Sequence, residues 1–362
     1  MRSVAQLIGE AGKEAKKISG PVLIYGAGNA GRSVCQFLEQ QGVVVSCFID
    51  QRHTDGQSVL GRSVLSIEQA FAHYGSSVEV LVAIHNRGVD MPPLLANLSA
   101  AGFSHIVTMF DFVNQFPQEP TFRFFLSAAS SLAGQEVAAQ SFLDLLEDDK
   151  SRKIYYDLIQ FRTTGDYRFS PLPDIENQYA PKDIPPWSPQ LRLMDCGAYN
   201  GDSILMFKKY GYQLESVIAF EPDLANYQLL VQNMQGQAGI FLPCGVSSSA
   251  KTVQFSAGDG EASRATEVGG ISVQMLSIDD AFPGWAPNLI KFDVEGGEYD
   301  ALLGAKKTLE QYRPGLAISA YHLPSDLWRL GLLIQGMRLN YSFYMRAHAY
   351  SSFDTVLYAI PR

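Results

Sequence analysis

Along the chain, short apolar runs alternate with longer stretches in which apolar positions return every three or four residues. The runs at 22–25, 43–49, 78–84 and 106–109 predict strands, and helices are expected between them, among them 67–73 and 94–101. Val4, Leu7 and Ile8 share one side of an expected amphipathic helix within residues 1–19. In the C-terminal half, strands are predicted at 191–195, 216–220, 239–243, 289–293 and 316–320, then at 341–345 and 355–360. A helix over 299–311 would present Ala301, Leu302, Ala305 and Leu309 as one apolar stripe. Strands alternating with helices predict mainly parallel sheets, and the final pair without a helix predicts one antiparallel strand. The expected fold is α/β with two Rossmann-like domains, 1–117 and 191–362, the second built on a seven-stranded, mostly parallel sheet. Between them, 118–190 carries Leu143, Leu146, Ile154, Leu158 and Phe161 at helical spacing, with Asp149 and Ser151 as candidate caps. A proline-rich stretch, 171–190, then reads as an extended lead-in loop.

Composition narrows the function classes. Of 362 residues, 46% are hydrophobic and 18% charged, as in soluble globular proteins. With 28 basic against 37 acidic side chains the net charge is −9, which argues against a nucleic-acid partner. Lys13, Lys16 and Lys17 read as a solvated helix face. Cys35, Cys47, Cys196 and Cys244 lack metal-ligand spacing and read as free thiols in a reducing compartment. No stretch reaches the roughly 20 apolar residues of a membrane span, and the N-terminus lacks the apolar core of a signal peptide. The expectation is therefore a cytoplasmic protein with neither a nucleic-acid nor a membrane partner; self-association as a homodimer stays open.

Two glycine loops carry the candidate chemistry. Gly26-Ala-Gly28-Asn29-Ala-Gly31 follows a predicted strand and opens a helix, with Asp50 ending the next strand. That is the context of a dinucleotide fingerprint: Gly26 for the turn, Gly28 for approach to a phosphate, Gly31 for helix–strand packing and Asp50 for a ribose. The domain is short for two mononucleotide halves, and no base–electrophile pair for hydride transfer is visible. The ligand expected here is a nucleotide, a sugar nucleotide or NAD, and a purely accessory role stays open. The pattern is similar to the N-terminal domains of sugar-modifying acyltransferases.

The second loop, Asp195-Cys-Gly197-Ala198-Tyr-Asn200-Gly201-Asp202-Ser203, is not GxGxxG. A methionine tail offers an amine and a carboxylate where a dinucleotide offers a pyrophosphate. Asp195 and the carbonyls near Gly197 suit the amine, and backbone N–H groups at 200–203 suit the carboxylate. Glu221, followed by Pro222, ends the next strand and suits both ribose hydroxyls. These features point to S-adenosylmethionine.

LMDCGAYNGD (193–202), AFEP (219–222), LSIDD (276–280), LIKFDVEGGEYDALLGA (289–305), PGLAISAYH (314–322) and DTVLYA (354–359) follow in this order, and the C-terminal domain resembles the FkbM family of S-adenosylmethionine-dependent methyltransferases. The resemblance covers about 140–362 and departs from the usual pattern at Gly297, where Ala is common. It implies O-methylation of a small-molecule acceptor: a sugar, glycan or secondary-metabolite intermediate. His322, at the end of a predicted strand, is the candidate general base or orienter of the acceptor hydroxyl. Asp293 and Glu295 would shape the site, and Glu298 would hold substrate. No metal is assigned, although Asp293, Glu298 and His322 form an alternative set for a divalent cation. Ser263 and Arg264, in a polar glycine-rich stretch, are further candidates for substrate contact. A scaffold that has lost catalysis and an NAD-linked oxidoreductase are the rival readings.

Overall fold

The computed structural model describes every residue except 1, 14, 53–55, 118–125, 257–263 and 267–269, and only the backbone of 255–256 and 264–266. The chain divides into two compact units. Residues 1–140, 156–172 and 349–353 form the first, and 141–155, 173–348 and 354–362 form the second. The expected lead-in, 118–190, is shared between them.

The first unit contains α1 (Val4–Gly9), β1 (Val22–Tyr25), α2 (Asn29–Gln40), β2 (Val45–Ile49), β3 (Ser58–Val59), β4 (Arg62–Leu65), α3 (Ile67–Tyr74), β5 (Glu79–Val82), α4 (Met91–Ala100), β6 (His105–Thr108) and α5 (Met109–Gln115). Its sheet runs β3-β4-β2-β1-β5-β6, and all strands but β3 are parallel. Val22 and Ile24 enter one core cluster, and Leu23 and Tyr25 enter another. A strand buried on both faces needs a continuous apolar run, which is why this one was legible. The first helix is shorter than expected. Gly12 takes φ +75°, and its N–H goes to Thr163 O at 2.9 Å. Beyond it, Lys16 lies off the helix; it is exposed and gives its Nζ to Ile106 O at 2.7 Å.

Helices α6 (Glu136–Leu143) and α7 (Asp149–Thr164) follow. Asp148 caps α7 by accepting the Ser151 N–H at 2.6 Å, one residue before the expected cap.

The second unit contains β7 (Gln190–Cys196), α8 (Asp202–Lys209), β8 (Gln213–Phe220), α9 (Leu224–Asn233), β9 (Gly239–Leu242), β10 (Gly245–Val246), β11 (Lys251–Ser256), β12 (Arg264–Thr266), β13 (Ile271–Leu276), α10 (Ile278–Ala281), β14 (Leu289–Phe292), α11 (Glu298–Gly304), α12 (Lys306–Tyr312), β15 (Gly315–Ser319), α13 (Asp326–Gly336), β16 (Tyr341–Ala347) and β17 (Thr355–Pro361). The seven-stranded sheet runs β16-β17-β15-β14-β7-β8-β9, with β17 antiparallel to both neighbours. A small second sheet, β10-β13-β11-β12, lies between β9 and α10 in the chain. The helix expected over 299–311 breaks at Ala305, although all four stripe residues are buried. At Gly304 a Cβ would lie 2.0 Å from Ser247 O, so the chain presses directly on neighbouring backbone there. No helix among the described residues is long and apolar enough to cross a membrane.

Candidate active site

Strands β7, β8, β14 and β15 are mutually parallel, so their C-terminal ends share one rim. The loops leaving that rim carry Gly197–Gly201, Glu221, Asp293–Glu298 and His322. Open α/β sheets bind ligands at this rim.

Beneath it lies a buried ion pair. The β7–β14 register sets Lys291 beside Asp195, and small neighbours, Ala219 and Ala317, flank the pair. Lys291 Nζ is 2.9 Å from Asp195 Oδ1 and 2.7 Å from Gly197 O. The other Asp195 oxygen accepts the Ser203 hydroxyl. Both charged side chains are almost wholly buried, at 3% and 0% exposure. Burial alone would lower the Lys291 pKa, but Asp195, Asp293 and Asp202 outweigh it and keep the ammonium charged. At 0% exposure Asp195 faces Lys291 and Ser203, and its oxygens tie β7 and α8 to β14.

The loop after β7 is tightly wound. Gly197, Tyr199 and Gly201 have φ of +83°, +47° and +89°. The N–H groups of Gly197 and Ala198 both go to Phe220 O. Gly201 N–H goes to Ala198 O, Asp202 N–H to Asn200 Oδ1 and Ser203 N–H to Asp202 Oδ1. Three of the N–H groups expected to hold a carboxylate are thus used within the loop. Asn200 also accepts the Asn233 side-chain amide at 2.9 Å, and Asp202 is exposed at the start of α8.

Glu221, 6% exposed, stands where expected. One oxygen accepts the Tyr199 N–H and the other the Asp223 N–H, each at 2.8 Å. The Asn226 side chain also hydrogen-bonds this carboxylate, which leaves it acceptor capacity for a ligand hydroxyl. Burial is the main cause that pushes its carboxyl up to about 7, against the pull of those backbone bonds. Pro222 follows, half-buried.

The third group centres on His322, whose side chain is fully buried. Its Nδ1 is 2.9 Å from Glu298 Oε1. Its Nε2 is 3.6 Å from both Asp293 Oδ1 and Glu295 Oε2. Glu298 is itself buried and accepts the N–H groups of Val294 and Gly296. Expected to hold substrate, it instead pins the loop and orients the imidazole, at 0% exposure. Glu295 occupies left-handed backbone, φ +55°. Burial alone would lower the His322 pKa, but Glu298, Glu295 and Asp293 outweigh it and raise it to about 10. An imidazole held charged by three acids suits the expected orienting role better than that of a general base.

Two residues escaped the sequence reading. Lys291 lies mid-strand in an otherwise apolar run; a lysine there signals a buried partner. Tyr179, from the lead-in loop at φ +63°, donates its hydroxyl to Asp293 Oδ2 at 2.7 Å. Trp187 Nε1 and Tyr358 Oη hold its backbone. No periodicity marks Tyr179. Ser263 lies outside the described residues, and of Arg264 only the backbone is described.

In the first unit, Gly26 turns at φ +108°, and a Cβ at Gly31 would lie 1.8 Å from Gly26 O. Asp50 accepts the N–H groups of Ala27 and Arg52, both at 2.9 Å, and Asn29 opens α2. Gly28 has open space around its missing Cβ and an ordinary φ of −75°. Gly28→Ala should therefore change stability by less than about 1 kcal/mol in urea unfolding, since alanine fits that backbone. A larger loss would show that the loop packs more tightly than this geometry allows.

Residues 195–352 match the family model of the Methyltransferase FkbM domain. Tyr179 and the lead-in loop precede the matched stretch. No curated protein matches the chain at a significant level. Among solved structures, the crystal structure of methyltransferase FkbM from Methylobacillus flagellatus KT at 2.20 Å resolution is similar, with a TM-score of 0.78 and 22% identity over 98% of this chain and 92% of that one. At that identity the likeness is one of fold. Over residues 195–352 the chain is thus similar to the FkbM methyltransferase domain, and its fold is similar to that of a solved member.

Proposed function

We propose that the chain transfers a methyl group from S-adenosylmethionine to a hydroxyl of a small molecule: a sugar, glycan or secondary-metabolite intermediate. The observation that carries this reading is Glu221. It is a buried acid at the end of the second parallel strand, bound to the glycine loop after the first. The acceptor capacity left beside its Tyr199, Asp223 and Asn226 bonds suits a ribose hydroxyl of the cofactor. The acceptor hydroxyl lies at the Asp293–Glu295–His322 end of the same rim. Transfer is an in-line displacement: the S–C bond breaks, its electrons return to sulfur, and a new C–O bond forms. S-adenosylhomocysteine and a methyl ether leave, and the hydroxyl proton passes to the rim or to solvent.

The Glu221 contact has a pH signature. A ribose hydroxyl donates to a carboxylate, whereas a protonated carboxyl is a weaker acceptor. The empty site protonates below about 7. Cofactor affinity should then fall as pH drops below about 7 and level off above it. Glu221→Gln should weaken S-adenosylhomocysteine by about 1–3 kcal/mol, roughly 5- to 150-fold, and flatten the pH profile. Calorimetry across pH checks both, and unchanged affinity in the variant would remove Glu221 from the cofactor site.

A further inference from the structure

The Asp293, Glu295 and His322 donors converge. One oxygen of each carboxylate and one imidazole nitrogen all lie within 4.8 Å of one another. The two 3.6 Å separations from His322 Nε2 lie just beyond hydrogen-bond length. They approach the spacing of neighbouring donors around one ion. Among the described residues no hydrogen bond of ordinary length reaches the buried Asp293 Oδ1, while Asp293 Oδ2 is held by the Tyr179 hydroxyl. The first oxygen is therefore aimed, and its partner fixed.

The surroundings have the form of a metal site's outer shell. Glu298 sits on His322 Nδ1, which leaves Nε2 as the inward donor, the carboxylate–histidine arrangement that orients metal-bound imidazoles. The Glu298 carboxylate also clamps the Val294 and Gly296 N–H groups, so it sets the turn that carries Glu295. That turn holds Glu295 at φ +55°, strained backbone of a kind that persists where the surroundings impose it. Charge points the same way. Asp195, Asp293, Glu295 and Glu298 gather four formal negative charges around Lys291 and a single imidazole.

We propose that Asp293, Glu295 and His322 bind one divalent cation, with Glu298 and Tyr179 as its outer shell. Two carboxylates and one imidazole on one side leave positions open on the other, a donor set suited to Mn2+ or Mg2+ and compatible with Zn2+. The set differs from the spacing-based alternative by exchanging Glu298 for Glu295. The role of the cation, though not the site itself, rests on the methyl-transfer reading. There it would take the acceptor hydroxyl as a ligand, lower its pKa and release its proton to solvent. The alkoxide would then receive the methyl group. A neutral imidazole is required, because the cation takes the position of the Nε2 proton.

The test is calorimetric titration of the chelator-treated full chain with MnCl2, and separately with ZnCl2, beside a parallel titration with S-adenosylhomocysteine. A saturable single-site isotherm is expected with at least one metal. It should be lost in Glu295→Gln and weakened about 10- to 100-fold in Glu298→Gln, with S-adenosylhomocysteine affinity retained in Glu295→Gln as evidence of an intact fold. Metal binding without S-adenosylhomocysteine binding supports the site while removing the methyl-transfer reading. Binding of S-adenosylhomocysteine with no saturable metal binding, or metal binding unchanged in Glu295→Gln, overturns the site.

Discussion

Replacing Lys291 with methionine is expected to lower stability by ~3–5 kcal/mol, the scale for stripping one partner from a buried ion pair. The carboxylate of Asp195 would be left in a space with 0% exposure, with only the Ser203 hydroxyl to satisfy it. The Gly197 carbonyl would lose its Nζ donor at the same time. Adding Asp195→Asn should return part of the loss, because the residual cost is an uncompensated charge. Urea unfolding at constant m-value measures both variants. A loss below about 1 kcal/mol would mean that Asp195 is neutral in the fold and that no ion pair is being broken.

The second large effect is expected at Gly197. Its φ of +83° alone would cost a substituted residue about 1–3 kcal/mol. A Cβ there would also lie 1.8 Å from Asp293 O, an atom with no rotamer by which to retreat. Gly197→Ala must therefore push the start of the Asp293–Glu298 loop away from β7. The close neighbour of this glycine is thus the protein's own backbone rather than a ligand-facing space. The expected result is a marked fall in melting temperature together with loss of metal binding, because Asp293 moves with its carbonyl. Gly201→Ala makes the comparison: its nearest neighbour is the flexible Met234 Cε at 2.8 Å, although φ there is also left-handed. Wild-type stability and metal binding in Gly197→Ala would contradict the packing described for this turn.

Most strands were legible because parallel strands buried on both faces require apolar runs, as 22–25 and 289–292 show. The glycine loops and Glu221 were legible because they sit at strand ends, where the topology puts ligands. What failed depended on tertiary contacts. The four-stranded sheet went unseen although Val253-Gln254-Phe255 and Ile271-Ser272-Val273-Gln274-Met275 alternate, because the polar, glycine-rich residues between them dominated the reading. The break at Ala305 follows from the Gly304–Ser247 approach, which no local pattern encodes. At the site, Asp293, Glu295, Glu298 and His322 were all picked out, but not their division of labour. A Gly-Gly turn with Glu295 at positive φ decides which acid joins Asp293 and which supports His322 from behind. Spacing cannot supply that. Tyr179 reaches Asp293 from 114 residues away in sequence, and only the fold brings it there.

The central claim is that the C-terminal domain binds S-adenosylmethionine through Glu221 and the loop after β7. Its most direct test is a calorimetric titration of the full chain with S-adenosylhomocysteine, with NAD as the competing ligand, at about pH 8, where Glu221 is ionised. The predicted result is single-site binding of S-adenosylhomocysteine that NAD does not abolish. Absence of S-adenosylhomocysteine binding at that pH, in a chain shown by its unfolding transition to be folded, would contradict it.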